Sequence, residues 1–303
     1  MSKESATQFY EHGRFKVAGG VLPSAITAYR TYGDPKNPCI VFPTCYGGRL
    51  DSQDYMIGPD KALNPEVYYI VTFALFANGE SSSPSNTRAP YNGPYFPDVS
   101  YEDNIRAQYA VLTKKLGISK VYSVIGFSMG GPKSALLASK DFEDGHYKGP
   151  PQRGIRAFGR AYSAWAYGQT WFRNKSYLHD GLYDSLNSFL REEWEAGFLD
   201  TWDANDMITL INTWQRGDVS LVRHGGNFEA CMADIKAKAL VMPSKTDLYF
   251  PPEDSEIEMS LMKNNQAKLV VIDSVWGHMA GGGSNAQDDE FIKEAVIKFL
   301  GSP

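Results

Sequence analysis

Short runs of β-branched and aromatic residues recur along the chain and are separated by turns rich in glycine and proline. Five of these runs predict strands: residues 14–18, 25–32, 39–42, 67–73 and 121–125. Residues 101–116 predict a helix, because apolar side chains recur there at helical spacing: Ile105, Tyr109, Leu112 and Leu116. Strands that alternate with helices in this way predict an α/β fold with a mainly parallel central sheet flanked by helices.

The second half of the chain contains a tryptophan-rich stretch between further sheet segments. Residues 155–163 predict another strand, whereas residues 164–235 predict mostly helix and hold five of the six tryptophans. The alternation then resumes with predicted strands at 237–243 and 268–272 and predicted helices at 253–263 and 289–300. We therefore predict a core formed by residues 1–163 and 236–303, with residues 164–235 inserted as a helical lid.

Composition restricts the class of protein. With 303 residues, 43% of them hydrophobic and 21% charged, the chain has the make-up of a soluble globular protein. Its net charge of -5 gives no electrostatic reason to expect nucleic acid or an anionic membrane as a partner. No apolar run is long enough to span a bilayer, and the first residues lack the apolar segment of a signal peptide, so we expect a cytoplasmic protein.

The cysteines give no sign of a disulfide framework or a metal site. Cys39, Cys45 and Cys231 cannot all pair with one another, and their spacing is not that of metal ligands. We therefore expect neither a structural metal nor disulfide bonds.

A serine with close glycine neighbours follows the predicted strand 121–125. Residues 126–131 read Gly-Phe-Ser-Met-Gly-Gly, and a helix-compatible segment follows them. Strand, Gly-x-Ser-x-Gly and helix form the nucleophile elbow of α/β-hydrolases, in which the serine occupies a tight turn with its hydroxyl exposed. In a chain with 28 glycines such a match can arise by accident, but the flanking strand and helix favour Ser128 as a nucleophile.

Serine needs a base to become nucleophilic, and the base needs a partner that fixes its tautomer. Asp247 and His278 follow two later strands, which gives the Ser, Asp, His order of α/β-hydrolases. Asp247 has an alternative reading as a turn or helix-cap residue. The backbone N–H groups of Cys45 and Met129 are the predicted donors of an oxyanion hole. Cys45 follows a predicted central strand, and Met129 immediately follows the nucleophile.

Several longer motifs occur in a fixed order: IGPDKALNPEVYYIV, NIRAQ, GFSMGGPKSALLAS, WDANDMITL, TDLYFPPEDSE and DSVWGHMAGG. From about Thr27 onward, their order and spacing resemble the homoserine O-acetyltransferase family. This resemblance implies that Ser128 accepts an acyl group, that His278 acts as the base and that Asp247 orients it. It also implies an acyl-enzyme intermediate, a helical lid and, commonly, a homodimer formed through that lid.

The chain departs from the transferase pattern around the predicted site. Phe127 stands where the family usually has a second glycine, and residues 43–47 read Pro-Thr-Cys-Tyr-Gly where His-Ala-Leu-Thr-Gly is usual. The catalytic histidine is followed by Met-Ala-Gly-Gly, where the transferases usually continue Asp-Ala-Phe-Leu. In these features the sequence is more similar to the hydrolase-like members of the family, which cleave short acyl esters.

The sequence therefore predicts a serine esterase that needs only a small ester and water, with no metal or organic cofactor. Bulky side chains at Tyr46, Phe127 and Trp165 are expected to line the substrate pocket and favour acetyl groups. The alternative is an O-acetyltransferase that moves acetyl from acetyl-CoA to homoserine or a related acceptor. A transferase needs a cation for the acceptor's carboxylate, and seven arginines in and beside the predicted lid are candidates: Arg153, Arg156, Arg160, Arg173, Arg191, Arg216 and Arg223. A non-enzymatic binding protein on the same scaffold is the third reading.

Overall fold

A computed structural model describes residues 6–128, 134–263 and 267–301. The strands in these ranges are β1 (Gln8–Val17), β2 (Gly20–Tyr32), β3 (Cys39–Pro43), β4 (Tyr69–Phe73), β5 (Val121–Val124), β6 (Leu240–Val241) and β7 (Lys268–Leu269). The α-helices are α1 (Tyr101–Ala110), α2 (Ser134–Leu137), α3 (Gln152–Ala166), α4 (Gln169–Arg173), α5 (Leu186–Phe189), α6 (Gly197–Thr201), α7 (Ala204–Gln215), α8 (Ser220–Arg223), α9 (Phe228–Ala233), α10 (Pro252–Leu261) and α11 (Ala286–Leu300). None of the helices in these ranges is long and apolar enough to cross a membrane.

The chain divides into two compact units, each with its own sheet. The first covers Met1–Arg160 and Arg191–Arg216, and the second covers Ala161–Leu190 and Gly217–Gly301. The predicted lid, residues 164–235, contributes helices to both units, and its boundaries remain a prediction.

The sheet of the first unit has the strand order β1-β2-β4-β3-β5. Strands β1, β2 and β4 pair antiparallel, whereas β4, β3 and β5 pair parallel. Strand β4 is buried throughout and β3 up to its last residue, which explains why both read as continuous apolar runs. In the second unit, β6 and β7 form a parallel pair. The predicted α/β fold with parallel strands and flanking helices is confirmed.

One predicted strand is wrong, and one predicted helix is confirmed with a different buried face. Residues 155–163 form part of α3 rather than a strand, because their buried positions recur at intervals of three and four: Ile155, Phe158, Gly159, Tyr162 and Ser163. The helix predicted at 101–116 forms as α1 and a π-helical turn at Val111–Lys115, but two of the apolar residues that indicated it, Ile105 and Tyr109, are 63% and 66% exposed. The buried residues of α1 are instead Asp103, Asn104 and Ala107. The Asn104 Oδ1 accepts a hydrogen bond from the Phe76 N–H at 2.8 Å.

Candidate active site

Two predicted site residues leave the sheet of the first unit at the same edge. Val41 of β3 lies opposite Val124 of β5 in a parallel pair. Cys45 follows the end of β3 by two residues, and Ser128 follows the end of β5 by four. Because parallel strands end at one edge of a sheet, both loops emerge where α/β enzymes collect their reactive groups.

Ser128 has the backbone conformation of a tight turn. Its φ angle is +56°, which lies in the left-handed region that residues with a side chain rarely occupy. The residue is half-buried, as is Phe127 before it, and α2 begins at Ser134. Strain of this kind is characteristic of functional turns. Met129, the other predicted oxyanion donor, lies outside the described residues.

The loop after β3 is tied to the neighbouring strand. The Thr44 N–H donates to the Phe73 carbonyl at 2.8 Å, and the Thr44 hydroxyl accepts from the Leu75 N–H at 3.1 Å. Cys45 then opens a turn that closes with the Gly48 N–H on the Cys45 carbonyl at 3.2 Å. Burial raises the pKa of the Cys45 thiol to about 11. The thiol therefore stays protonated at neutral pH, which leaves the backbone N–H as the group suited to an oxyanion.

Tyr46, predicted to line the substrate pocket, lies in an aromatic cluster of the first unit. Its ring centroid is 5.9 Å from that of Phe158, 6.5 Å from that of Phe198 and 6.3 Å from that of Trp202, with which it is nearly parallel. Trp165 is placed differently, since it lies on α3 in the second unit with 54% of its surface exposed. The substrate-binding roles of these two residues and of Phe127 remain predictions.

The two predicted residues of the second unit are directly bonded. His278 Nδ1 lies 2.7 Å from Asp247 Oδ2, and both side chains are only 7% exposed. The other carboxylate oxygen, Oδ1, accepts hydrogen bonds from the backbone N–H groups of Tyr249 and Phe250 at 2.8 and 3.1 Å. With Nδ1 as the donor to the carboxylate, Nε2 is the nitrogen of the imidazole that can accept and return a proton.

Aromatic side chains hold the imidazole, which the sequence analysis missed. The Tyr249 ring meets the His278 ring edge to face at 5.0 Å, and Phe250 lies 5.6 Å from it. The available signal was the pair of aromatic residues two and three positions after Asp247. The glycine-rich stretch at the histidine forms a 3₁₀ turn, Gly277–Gly281, in which His278 is buried.

The WDANDMITL motif contains the first turns of α7, and one of its side chains, Asp206, binds the loop after β4. Asp206 is buried, and its carboxylate accepts from both the backbone N–H and the hydroxyl of Ser85, at 2.9 and 2.6 Å. Burial, reinforced by the nearby Asp203 carboxylate, raises the pKa of Asp206 to about 7, although the Ser85 bonds oppose the shift. Tyr147 donates to the Asp203 carboxylate at 2.7 Å.

Several arginines have structural partners. Arg156 and Arg160 of α3 both pair with the buried carboxylate of Glu195, and Arg216 pairs with Asp98. Arg106, from the NIRAQ motif, pairs with Asp103 and donates to the Lys16 carbonyl. Three of the seven candidate arginines are thus already engaged by carboxylates. In the described part of the chain, no group of three or more His, Cys, Asp or Glu side chains is arranged to hold a metal ion.

Comparison with known proteins agrees with this architecture. Residues 38–149 match the model of the α/β-hydrolase fold family. The chain is 28% identical to a probable esterase of Corynebacterium glutamicum, covering 86% of each protein. It is 26% identical to an ethyl acetate hydrolase of Pseudomonas veronii, covering 94% of this chain and 92% of that protein. A homoserine O-acetyltransferase of Chlorobium chlorochromatii is 24% identical, over 86% and 87% of the two chains.

Among solved structures, the acetyl esterase MekB superimposes with a TM-score of 0.91 at 24% identity, covering 98% of this chain and 97% of that chain. The chain therefore has the α/β-hydrolase fold. Within that class, the resemblance to the homoserine O-acetyltransferases and their esterase-like members is confirmed.

Proposed function

We propose that this chain is a serine esterase that hydrolyses short-chain, acetyl-type esters of small alcohols. The observation that carries the proposal is the buried Asp247–His278 pair, in which the carboxylate binds Nδ1 at 2.7 Å. An imidazole held in this way is suited to act as a general base through Nε2. The strained turn at Ser128 supports the same reading, because it is the backbone geometry of a nucleophile elbow.

In the proposed reaction, the Ser128 oxygen attacks the ester carbonyl while His278 takes the hydroxyl proton. The N–H groups of Cys45 and Met129 stabilise the negative charge on the carbonyl oxygen. The intermediate collapses when the bond to the alcohol breaks and the imidazolium returns its proton to the leaving oxygen. His278 then deprotonates water, whose oxygen attacks the acetyl carbonyl. The acetyl–serine bond breaks, acetate leaves, and the imidazolium returns its proton to the Ser128 oxygen. Asp247 stabilises the imidazolium in both halves.

Relatives and structure favour water over an amino-acid acceptor. Two of the relatives reported above are named as a probable esterase and an ethyl acetate hydrolase. Three of the candidate arginines for an acceptor carboxylate are paired with Glu195 or Asp98. Acetyl transfer to homoserine remains the second candidate, on the strength of the transferase relative. The homodimer and the cytoplasmic location are further predictions.

The test compares the two reactions in one preparation. Purified protein is incubated with ethyl acetate or p-nitrophenyl acetate, and separately with acetyl-CoA and homoserine. We expect release of acetate from the esters and little acetyl-homoserine. If acetyl-homoserine formed much faster than acetate was released, the transferase reading would be favoured over the esterase reading. Failure of a fluorophosphonate to label Ser128, together with no turnover in either assay, would favour the binding-protein reading.

A further inference from the structure

A threonine beside Asp247 joins the two loops of the Asp247–His278 pair. The loop after β6 carries Thr246, and the loop after β7 carries Ser274 and Gly277. The Thr246 hydroxyl donates to the Ser274 carbonyl at 2.9 Å and accepts from the Gly277 N–H at 3.0 Å. The second bond ends on the residue immediately before His278. One side chain therefore spans both loops independently of the Asp247–His278 bond.

Both bonds require a hydroxyl. Only a group that is donor and acceptor at once can serve a carbonyl and an N–H from the same atom. Valine has nearly the shape of threonine but neither capacity, so it would leave the Ser274 carbonyl and the Gly277 N–H without this partner. Serine keeps the hydroxyl and loses only a methyl group. The two substitutions thus separate the hydrogen bonds from the packing.

Two glycines bring a third backbone segment against this link. Gly277 has a φ angle of +61°, and a Cβ on it would lie 2.7 Å from the Gly168 nitrogen and 2.8 Å from the Ala166 carbonyl oxygen. A Cβ on Gly168 would lie 2.6 Å from the Thr246 hydroxyl oxygen. These distances are shorter than van der Waals contact. The segment at the end of α3 therefore packs against the Thr246 and His278 loops so closely that no side chain could be added at either glycine.

The hydrogen bonds of Thr246 act on the His278 backbone, whereas the other contacts of His278 described above are made with its imidazole ring. Tyr249 and Phe250 contact the imidazole, and the Tyr249 hydroxyl donates to the Tyr162 carbonyl at 2.7 Å. Ring contacts restrict tilt, but the position of the His278 backbone is set by Gly277. Because the Thr246 hydroxyl binds the Gly277 N–H directly, it fixes the position of the backbone from which the His278 side chain extends.

We propose that the Thr246 hydroxyl is a positioning group for the catalytic base. By fixing Gly277 against the Asp247 loop, it holds His278 in the orientation that Asp247 binds and that proton transfer needs. The proposal rests on the proposed function of the Asp247–His278 pair. Reactive groups must be held within a fraction of an ångström, and a shift of about 1 Å can cost on the order of 100-fold in rate.

The experiment compares Thr246→Val, Thr246→Ser and a matched control. Thr213 is buried, and its hydroxyl lies within hydrogen-bond distance of the Val99 and Thr209 carbonyls, at 3.1 and 3.0 Å, so Thr213→Val removes a comparable hydroxyl elsewhere. We expect Thr246→Val to lower kcat by about 10- to 100-fold with less than about a threefold change in KM. Thr246→Ser should stay within about threefold of the parent chain, and Thr213→Val should lose stability but keep kcat.

Normal kcat in Thr246→Val, or equal loss in Thr246→Ser and Thr246→Val, would overturn the proposal. A second readout does not depend on turnover: the low-field proton resonance of the Asp247–His278 hydrogen bond, identified by its loss in Asp247→Asn. We expect it to shift or broaden in Thr246→Val and to stay unchanged in Thr246→Ser and Thr213→Val. If the parent chain hydrolyses no ester, the proposed function fails, while this resonance still decides whether Thr246 positions the imidazole.

Discussion

His278 Nδ1 and Asp247 Oδ2 are 2.7 Å apart, although the residues are 31 positions apart in the chain. Both side chains are buried, and the carboxylate is further fixed by two backbone N–H groups. Such a pair has little freedom to reorient, which suits a base that must present Nε2 in one direction.

Asp247→Asn tests the orienting role. The amide keeps the size of the side chain but removes the negative charge and can select the wrong imidazole tautomer. We expect kcat for p-nitrophenyl acetate to fall by about 10⁴-fold, somewhat less than for loss of His278. Full activity in this variant would show that the acid has been misassigned.

Substitutions at Ser128 separate catalysis from backbone strain. Ser128→Ala and Ser128→Gly should both abolish turnover, by about 10⁶-fold, and prevent labelling by a fluorophosphonate. Because φ at this position is +56°, glycine relieves strain that alanine retains. We expect Ser128→Gly to exceed Ser128→Ala by about 1 kcal/mol in the free energy of unfolding, measured with urea. Equal stabilities would contradict a strained turn.

Asp206 is expected to make stability depend on pH. Its pKa is about 7 in the folded chain and near the ordinary value of 3.8 when unfolded, so the unfolded chain ionises first as pH rises. The free energy of unfolding should therefore fall between about pH 4 and pH 7, by on the order of 2–4 kcal/mol from this group. Asp206→Asn should remove that part of the slope in urea unfolding, whereas Asp60→Asn at an exposed site should not. An unchanged slope in Asp206→Asn would contradict the raised pKa.

Adding a methyl group is predicted to have opposite effects at two helical glycines, Gly159 on α3 and Gly197 on α6. A Cβ on Gly159 would lie 2.4 Å from the Trp194 carbonyl oxygen, whereas one on Gly197 meets nothing within 4 Å. Gly159→Ala should lower the free energy of unfolding by about 1–3 kcal/mol, because backbone must move. Gly197→Ala should raise it by about 0.5–1 kcal/mol, since alanine is the better helix former. Similar values for the two variants would contradict this packing.

Short-acyl preference is tested with p-nitrophenyl esters of increasing acyl length. If Phe127 limits the pocket, acetate should be the best substrate, and Phe127→Ala should raise the rate on butyrate relative to acetate. A parent chain that prefers octanoate would contradict a crowded pocket.

The sequence placed the three predicted catalytic residues after strands, and their catalytic roles remain predictions, whereas it misread some of the elements between them. Ser128, Asp247 and His278 each follow a predicted strand, and strand patterns depend on local apolar runs that a single sequence reveals. The nature of α3 was missed because Ile155, Phe158 and Tyr162 read as a strand-like run, although their spacing is helical. The ring contacts of Tyr249 and Phe250 with His278 depend on tertiary packing, which no local sequence pattern encodes.

The most direct measurement is mass spectrometry of the protein quenched in acid during turnover of p-nitrophenyl acetate. We predict that a peptide containing Ser128 gains the mass of one acetyl group, that fragmentation places it on Ser128, and that Ser128→Ala shows neither the adduct nor turnover. Acetylation of a different residue, or ester hydrolysis that persists in Ser128→Ala, would contradict the account.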